Sequence, residues 1–129
     1  ELIKYLTKTI SVDYNRAMSV WRFDKALESI WKFISYCDQM ISDQQPWAMM
    51  KAGKEQEVKN MLHHLAEALR HIAVMIWPIM PGTSEKLFTQ LGLNISEELA
   101  EPLAKLQAWT ELTAGKKIKK PEQLFPRLA

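Results

Sequence analysis

The chain has 129 residues, of which 47% are hydrophobic and 25% charged, a balance that is typical of a folded globular domain and excludes a disordered tail. A chain of this length removes about two thirds of its unfolded surface from water, so an apolar core forms without disulfides or a structural metal. The formal net charge of +2 gives no reason to expect a nucleic-acid partner. We therefore expect one domain over residues 1–129.

Two further features limit the classes of protein to which the chain can belong. The longest apolar stretch, Ile72 to Met80, is interrupted by Pro78, so the sequence predicts no membrane span. Cys37 is the single cysteine, and it suits a reducing compartment such as the cytoplasm because it has no partner for a disulfide within the chain. Neither a membrane nor DNA is expected as a partner.

The first half of the chain has apolar residues at helical spacing and predicts an all-α bundle. A first helix is expected from Leu2 to a break at Trp21. Asp24 is expected to cap a second helix that ends near Ser42. Proline favours the first position of a helix, so a short helix is expected over residues 46–51.

The second half continues the bundle and then loses its pattern. A third long helix is expected from Val58 to the Trp77–Pro78 stop, and Thr83 is expected to cap a fourth helix that Gly92 closes. After Leu93 the periodicity weakens, and a short helical turn is expected over residues 96–99, which Pro102 interrupts. An irregular C-terminal tail is expected to follow. Its apolar residues are expected to act as single anchors on the bundle: Trp109, Leu112, Ile118, Leu124 and Phe125.

Glycine-rich phosphate loops, paired cysteine ligands and nucleophile motifs are absent from the sequence. The one candidate for a metal site is His64, Glu67 and His71, which share a face of the third helix. Three ligands on a straight helix span two turns, too far apart for one tetrahedral ion unless the helix bends or a partner contributes. The favoured interpretation is a solvated face with a Glu67–His71 side-chain pair.

Four of the five tryptophans have structural interpretations. Trp31 and Trp77 lie on apolar stripes and are expected in the core or at its rim. Trp21 and Trp109 occur at breaks, where a large ring plugs the end of a bundle.

Trp47 differs because it follows Pro46 at an expected helix start and is preceded by polar residues. One interpretation folds its ring inward beside Met49 or Met50. The alternative is an exposed platform that stacks on an unpaired base, with Lys51 on the same face near a phosphate.

The last 15 residues carry a local charge of +4, which leaves the first 114 residues at −2. Most of this positive charge lies in one run, with Ile118 expected to turn inward. The run is interpreted as a solvated segment or as a surface for RNA phosphates or an acidic patch of an adjoining domain. Its lysines are Lys116, Lys117, Lys119 and Lys120.

The order of several motifs resembles the anticodon-binding domain of methionyl-tRNA synthetase. The resemblance covers most of the chain and rests on Pro46-Trp47 with Lys51, residues 65–70, residues 78–81, Leu91-Gly92, Trp109, Leu112, Gly115 and residues 124–127. It implies an α-helical bundle that recognises the tRNA anticodon loop, with Trp47 stacking on an anticodon base and Pro46 fixing its backbone. Residues 115–129 resemble a segment that returns toward the catalytic domain of the same parent chain.

The resemblance further implies a parent enzyme that joins methionine to its tRNA with ATP and Mg²⁺, whereas this part is expected to be non-catalytic and to hold no cofactor. Asp38 and Met40 depart from the family pattern, which commonly has Asn and Tyr there, and a carboxylate near an anticodon phosphate would repel it. The family's first helix, with an Asn and an Arg that read anticodon bases, is expected to precede Glu1. A protein-interaction scaffold without RNA binding is the alternative function.

Overall fold

The computed structural model describes residues 1–110, 112, 115 and 117–128. In this part of the chain the secondary structure is helical and includes no strand, which confirms the all-α class. The first helical stretch runs without a break from α1 through a π-helical turn over Leu6–Ile10 into α2. The helices are α1 (Leu2–Tyr5), α2 (Ser11–Ser19), α3 (Phe23–Gln44), α4 (Pro46–Lys51), α5 (Glu55–Ile76), α6 (Pro81–Gln90), α7 (Ile95–Leu99) and α8 (Leu103–Leu106).

The core lies where α1, α2, α3 and α5 meet, with α6 closing one side. Its largest buried side chains are apolar and repeat at helical spacing along each element. A buried hydrogen bond links α2 to α5: the Tyr14 hydroxyl donates to the carbonyl oxygen of Met75 at 2.6 Å. The large apolar members that are fully buried are Leu6, Ile10, Ile30, Phe33 and Phe88.

Two predicted helix starts are wrong by one turn or less. The α3 helix begins at Phe23, so Asp24 lies inside its first turn and pairs with the Arg22 guanidinium at 2.7 Å instead of capping. The α6 helix begins at Pro81, and Thr83 lies within it. In both cases an earlier residue adopts helical backbone, and the carboxylate or hydroxyl is not needed as a cap.

The C-terminal tail begins with the short helix α8, is otherwise irregular in its described residues, as predicted, and follows the bundle in two parts. Residues 103–110 cover one face of α5, with Leu106 buried. Residues 117–125 then run beside the end of α6, where the Lys119 amide donates to the Gln90 carbonyl at 2.9 Å.

The tail anchors are only partly as predicted. Trp109, Leu112 and Leu124 pack against the core. Ile118 and Phe125 are 67% and 58% exposed, so their expected inward packing is wrong, because the tail touches α6 through its backbone there. Among the described residues, every helix is either too short or too polar to cross a membrane.

Candidate nucleic-acid interface

The turn between α3 and α4 fixes the backbone that carries Trp47. Gln45 ends α3 in the left-handed region, at φ 47° and ψ 66°, and its amide donates to the Ile41 carbonyl at 3.0 Å. A side chain in this region costs about 1–2 kcal/mol, and a following proline disfavours helical backbone further. The surrounding contacts hold this strained geometry, so the direction in which α4 leaves the turn is determined.

The indole of Trp47 stands out from this turn. Pro46 occupies the first position of α4, as predicted, and is half-buried, whereas Trp47 is 57% exposed. Met49 is also half-buried on α4 and takes the inward position that one interpretation gave to the tryptophan. The α4 helix packs on α5, and Lys51 is exposed at its end. Both predicted site residues and the fixing proline are therefore carried by one short helix.

The lysine run lies on a different element. Lys117, Lys119 and Lys120 are exposed beside the C-terminal end of α6, while Lys116 is outside the described residues. This segment passes so close to Gly92 that a Cβ atom there would come within 2.9 Å of the Lys117 carbonyl oxygen. The contact explains why glycine, with φ 74°, ends α6 at that point.

The two departures from the family pattern lie on α3 near the Trp47 turn. Asp38 is exposed and borders an apolar groove, where it adds to the effect of burial in raising the pKa of the Cys37 thiol to about 11. Met40 is half-buried and lines a second pocket beside Gln44.

The predicted solvated face around Glu67 is wrong. Glu67 and His71 are 0% and 2% exposed, because residues 103–110 pack on this face of α5. The pairing itself is confirmed, with His71 Nε2 lying 3.3 Å from Glu67 Oε1. His64 belongs to another contact, with its ring centroid 6.1 Å from that of Trp109.

Arg70 completes a buried ionic cluster with Glu67 and His71. Its guanidinium donates to both Glu67 oxygens at 2.8 to 3.1 Å and to the carbonyl oxygens of Leu106 and Ala108. Burial opposes ionisation of Glu67, but hydrogen bonds from His71 and Arg70 outweigh it and lower its pKa to about 2. We call Glu67, Arg70 and His71 the ionic clamp, since it holds the tail on α5.

The other tryptophans have different surroundings. Trp109 stacks on His71 at 5.4 Å between ring centroids, so it covers the side of α5 and does not plug an end of the bundle. Trp21 is 78% exposed, and the end-plug prediction is wrong for it as well. Trp31 and Trp77 are 47% and 41% exposed, which agrees with a position at the rim.

Sequence reasoning missed two features. Arg70 follows Glu67 by three residues, a spacing that places the two on one helix face and could have indicated the clamp. The second is an apolar groove of about 230 Å³ between α3 and α5. Both helices bring a second apolar stripe to it, including Trp31 and Ile34 of α3 and Leu65 and Leu69 of α5. Phe125 of the tail also lines the groove.

The chain is thus an all-α bundle that carries an exposed indole on a turn of fixed backbone. Comparison with known families agrees with this class. A family model described as the anticodon binding domain of methionyl tRNA ligase matches residues 1–129, and the chain belongs to that family.

Curated relatives are named methionine–tRNA ligase. The chain is 39% identical to the Bacillus subtilis protein over 121 residues, covering 89% of this chain and 17% of the relative. It is 36% identical to the Caldanaerobacter subterraneus protein over 112 residues, or 86% and 17%, and 30% identical to the Fusobacterium nucleatum protein over 127 residues, or 98% and 20%. The chain thus spans about a fifth of the length of these relatives and matches the anticodon-binding part, not the catalytic part.

Proposed function

We propose that this chain recognises the anticodon loop of a tRNA by stacking an unpaired base on Trp47, as part of a methionine–tRNA ligase. The observation that carries the proposal is the 57% exposure of the indole on a turn whose backbone is fixed by Gln45 and Pro46. A ring held in this way receives a base without losing freedom of its own on binding. The family match supports this role for the site.

The lysines supply the electrostatic part of the proposal. Lys51 lies four residues after Trp47 on α4 and would face a loop phosphate. Lys117, Lys119 and Lys120, with Lys116, would contact either the tRNA backbone or the catalytic domain of the same chain. Exposed lysines suit phosphates because binding releases counterions from the RNA.

The parent enzyme would act in the cytoplasm and join methionine to tRNA with ATP and Mg²⁺ in its catalytic part. Among the residues that the structure describes, no group of three His, Cys, Asp or Glu side chains has the geometry to hold a metal ion.

The test is Trp47→Ala in the full-length enzyme, with Trp21→Ala as the matched control because Trp21 is also an exposed indole. Trp47→Ala should lower kcat/KM for aminoacylation of tRNA by about 5- to 150-fold, the equivalent of ~1–3 kcal/mol of lost stacking. Methionine activation, followed by ATP–pyrophosphate exchange, should stay unchanged, and Trp21→Ala should behave as wild type in both assays. Equal loss of both activities in Trp47→Ala would contradict the proposal.

The apolar groove favours a second candidate, a scaffold that docks a partner through apolar contact. Salt dependence separates the two candidates. RNA binding should fall steeply between about 50 and 200 mM salt, whereas apolar docking should barely change.

A further inference from the structure

A basic cleft lies between α2 and the first half of α3. Its volume is about 310 Å³. The α3 helix has 22 residues and is about 33 Å long at ~1.5 Å per residue, so the cleft is remote from the Trp47 turn, which follows the last residue of α3. The charged residues that line the cleft are Asp13, Arg16, Arg22, Lys25, Glu28 and Lys32.

The cleft is positive on a body that is otherwise acidic. Four cations and two carboxylates line it, which gives the lining a formal charge of +2. The first 114 residues together carry −2, so those among them that lie outside the cleft carry −4. A positive cleft concentrates anions near it, and an anionic ligand is therefore expected there.

Three of the four cations are placed to meet a ligand. The fourth, Arg22, is held at 2.7 Å by Asp24, which lies outside the cleft. The carboxylate of Glu28 lies 2.8 Å from Lys25 Nζ and 3.3 Å from Lys32 Nζ. A single negative charge thus holds two ammonium groups side by side and leaves the group of three with a net positive charge.

These cations can turn to a ligand at little cost. The side chains of Glu28 and its two lysines are about half-exposed, and exposed ion pairs contribute little to stability because solvent screens them. Arg16 adds an exposed guanidinium from α2, and the planar fork of this group suits two oxygens of one phosphate. The two walls of the cleft therefore present one fork and two ammonium groups to a row of phosphates.

The lining favours a phosphate backbone over a base. The residues described in it include no aromatic ring on which a base would stack. Cations on both walls of a cleft instead match the backbone of a paired strand, since double-stranded RNA is bound through its shape, its phosphates and its 2′-hydroxyls. Each phosphate contact also releases a counterion from the RNA, which favours binding.

The position of the cleft along α3 indicates which part of an RNA would reach it. Lys32 lies 12 residues before Gln44, a distance of about 18 Å along the helix. Along a nucleic-acid duplex, at roughly 3 Å per base pair, this distance is about six base pairs. One face of α3 connects the cleft with the Trp47 turn, and its members follow at spacings of three, four or seven: Lys25, Lys32, Tyr36, Gln39 and Asp43.

We propose that this cleft binds backbone phosphates in the paired stem of the RNA whose loop base stacks on Trp47, through Arg16, Lys25 and Lys32. The contact does not depend on the sequence of the stem, because phosphates carry no sequence information. The inference rests on the proposed function, since it requires an RNA loop at the Trp47 turn.

The experiment uses the full-length protein and two fluorescein-labelled RNAs. One is a stem–loop with a seven-nucleotide loop that contains the methionine anticodon CAU, and the other is the same loop sequence as an unpaired oligonucleotide. Anisotropy titrations between about 50 and 200 mM salt give Kd and its salt dependence. The variants are Arg16→Ala, Lys32→Ala and Trp47→Ala. Lys105→Ala is the matched control, because Lys105 is equally exposed and, like Lys32, pairs with a glutamate four residues earlier.

The expected signature is a loss that is confined to the RNA with a stem. Arg16→Ala and Lys32→Ala should each raise Kd for the stem–loop about 8-fold at ~0.1 M salt and reduce the slope of log K against log[salt] by ~0.9, since one counterion fewer is released. Both variants should bind the unpaired oligonucleotide as wild type does. Trp47→Ala should weaken binding of both RNAs, and Lys105→Ala should weaken neither. A stem with every base pair reversed should bind as the original stem does.

An acidic protein surface in the rest of the parent chain is the competing ligand of similar chemistry. Thermal unfolding of the full-length protein without RNA separates the two. By the proposal, Arg16→Ala and Lys32→Ala leave Tm unchanged, because both side chains are exposed and unbound without RNA. A lowered Tm together with wild-type RNA binding would assign the cleft to a contact within the parent chain and overturn the proposal.

Two further results would overturn the inference, and they differ in what they leave standing. If Arg16→Ala and Lys32→Ala keep the wild-type Kd and slope for the stem–loop, or weaken the unpaired oligonucleotide as strongly, while Trp47→Ala still weakens both RNAs, the cleft is not a stem site and the stacking function stands. If Trp47→Ala binds both RNAs as wild type does, or wild type binds neither at low salt, the proposed function is wrong and the inference fails with it.

Discussion

Trp47 and two residues of the ionic clamp, Glu67 and His71, were singled out from the sequence for their chemistry, yet the fold places them in opposite environments. Glu67 and His71 are sealed between α5 and the tail, whereas Trp47 projects into solvent from a strained turn. The difference teaches that polar residues at ligand spacing on a helix indicate a site only if no neighbouring segment covers them.

The same comparison explains how each region resists change. The clamp contributes to stability through buried charge pairs, and a buried pair is costly to break because the remaining charge stays buried. The Trp47 turn holds an exposed side chain, so its removal leaves the core intact. Changes in the clamp should therefore alter unfolding, and changes at Trp47 should alter RNA binding.

The largest effect is expected for Arg70→Met. This change leaves Glu67 without its guanidinium partner and removes the donors to Leu106 and Ala108, so the free energy of unfolding should fall by about 3–5 kcal/mol. Urea titration followed by circular dichroism measures this loss. Arg70→Lys keeps the charge without the planar fork and should lose less.

The clamp is expected to affect stability and Trp47 to affect RNA binding. This division would be wrong if folded Arg70→Met bound an RNA stem–loop as weakly as Trp47→Ala. The binding titration should be made at a temperature and urea concentration at which the variant retains wild-type ellipticity. An unchanged Kd under those conditions would sharpen the comparison.

The next effect is the dependence of stability on acid. The pKa of Glu67 is lowered from 4.5 to about 2 in the folded chain, so its contribution is complete above pH 4.5 and is lost as the pH falls toward 2. At ~1.36 kcal/mol per pKa unit the loss is about 3 kcal/mol. Glu67→Gln should have a lower free energy of unfolding at pH 7. It should also lack the part of the decrease between pH 4.5 and pH 2 that comes from Glu67.

A series of urea titrations between pH 2 and pH 7 measures the difference between wild type and Glu67→Gln. Asp24→Asn is the control, because the pKa of Asp24 is also lowered to about 2 but its ion pair with Arg22 is exposed, and solvent screening leaves such a pair little effect on stability. Its acid limb should resemble that of wild type. Parallel curves for wild type and Glu67→Gln would show that Glu67 has the same pKa in the folded and the unfolded chain, which would contradict the prediction.

Much of the fold follows from apolar periodicity and proline. The long helices α3 and α5 were predicted because their apolar residues repeat over many turns, and the start of α4 was predicted because Pro46 fits the first helical position. The starts of α3 and α6 were misplaced because capping is decided by local backbone geometry. The path of the tail could not be predicted, since it depends on backbone contacts such as Lys119 to Gln90.

The candidate site divides in a similar way. The exposure of Trp47 was one of two interpretations that periodicity left open, and the left-handed Gln45 that decides it has no sequence signal comparable to glycine. The basic cleft was missed because Arg16 and Lys32 come from different helices. The spacing of residues along a single helix cannot predict which residues of different helices pack together.

The smallest of these effects concerns the lysine run. Its lysines could serve the fold, as the ionic clamp does, or bind RNA, as is proposed for Trp47. Gly92→Ala places a side chain at φ 74° and a Cβ atom 2.9 Å from the Lys117 carbonyl oxygen. The left-handed backbone costs about 1–2 kcal/mol, and the backbone contact must open in addition, so we expect a loss of ~2 kcal/mol and faster hydrogen exchange at the Lys119 amide. Gly82→Ala is the matched control, because Gly82 lies within α6 with no atom within 4 Å and should be neutral or stabilising.

RNA binding by folded Gly92→Ala shows whether the lysine run contacts RNA or serves only contacts within the protein. If displacement of Lys117 and Lys119 leaves Kd for the stem–loop unchanged, the segment serves the fold or a contact within the parent chain, like the clamp. If Kd rises and its salt dependence becomes shallower, the lysines contact RNA phosphates and the segment belongs with Trp47. Wild-type hydrogen exchange at Lys119 in Gly92→Ala would contradict the close approach on which this prediction depends.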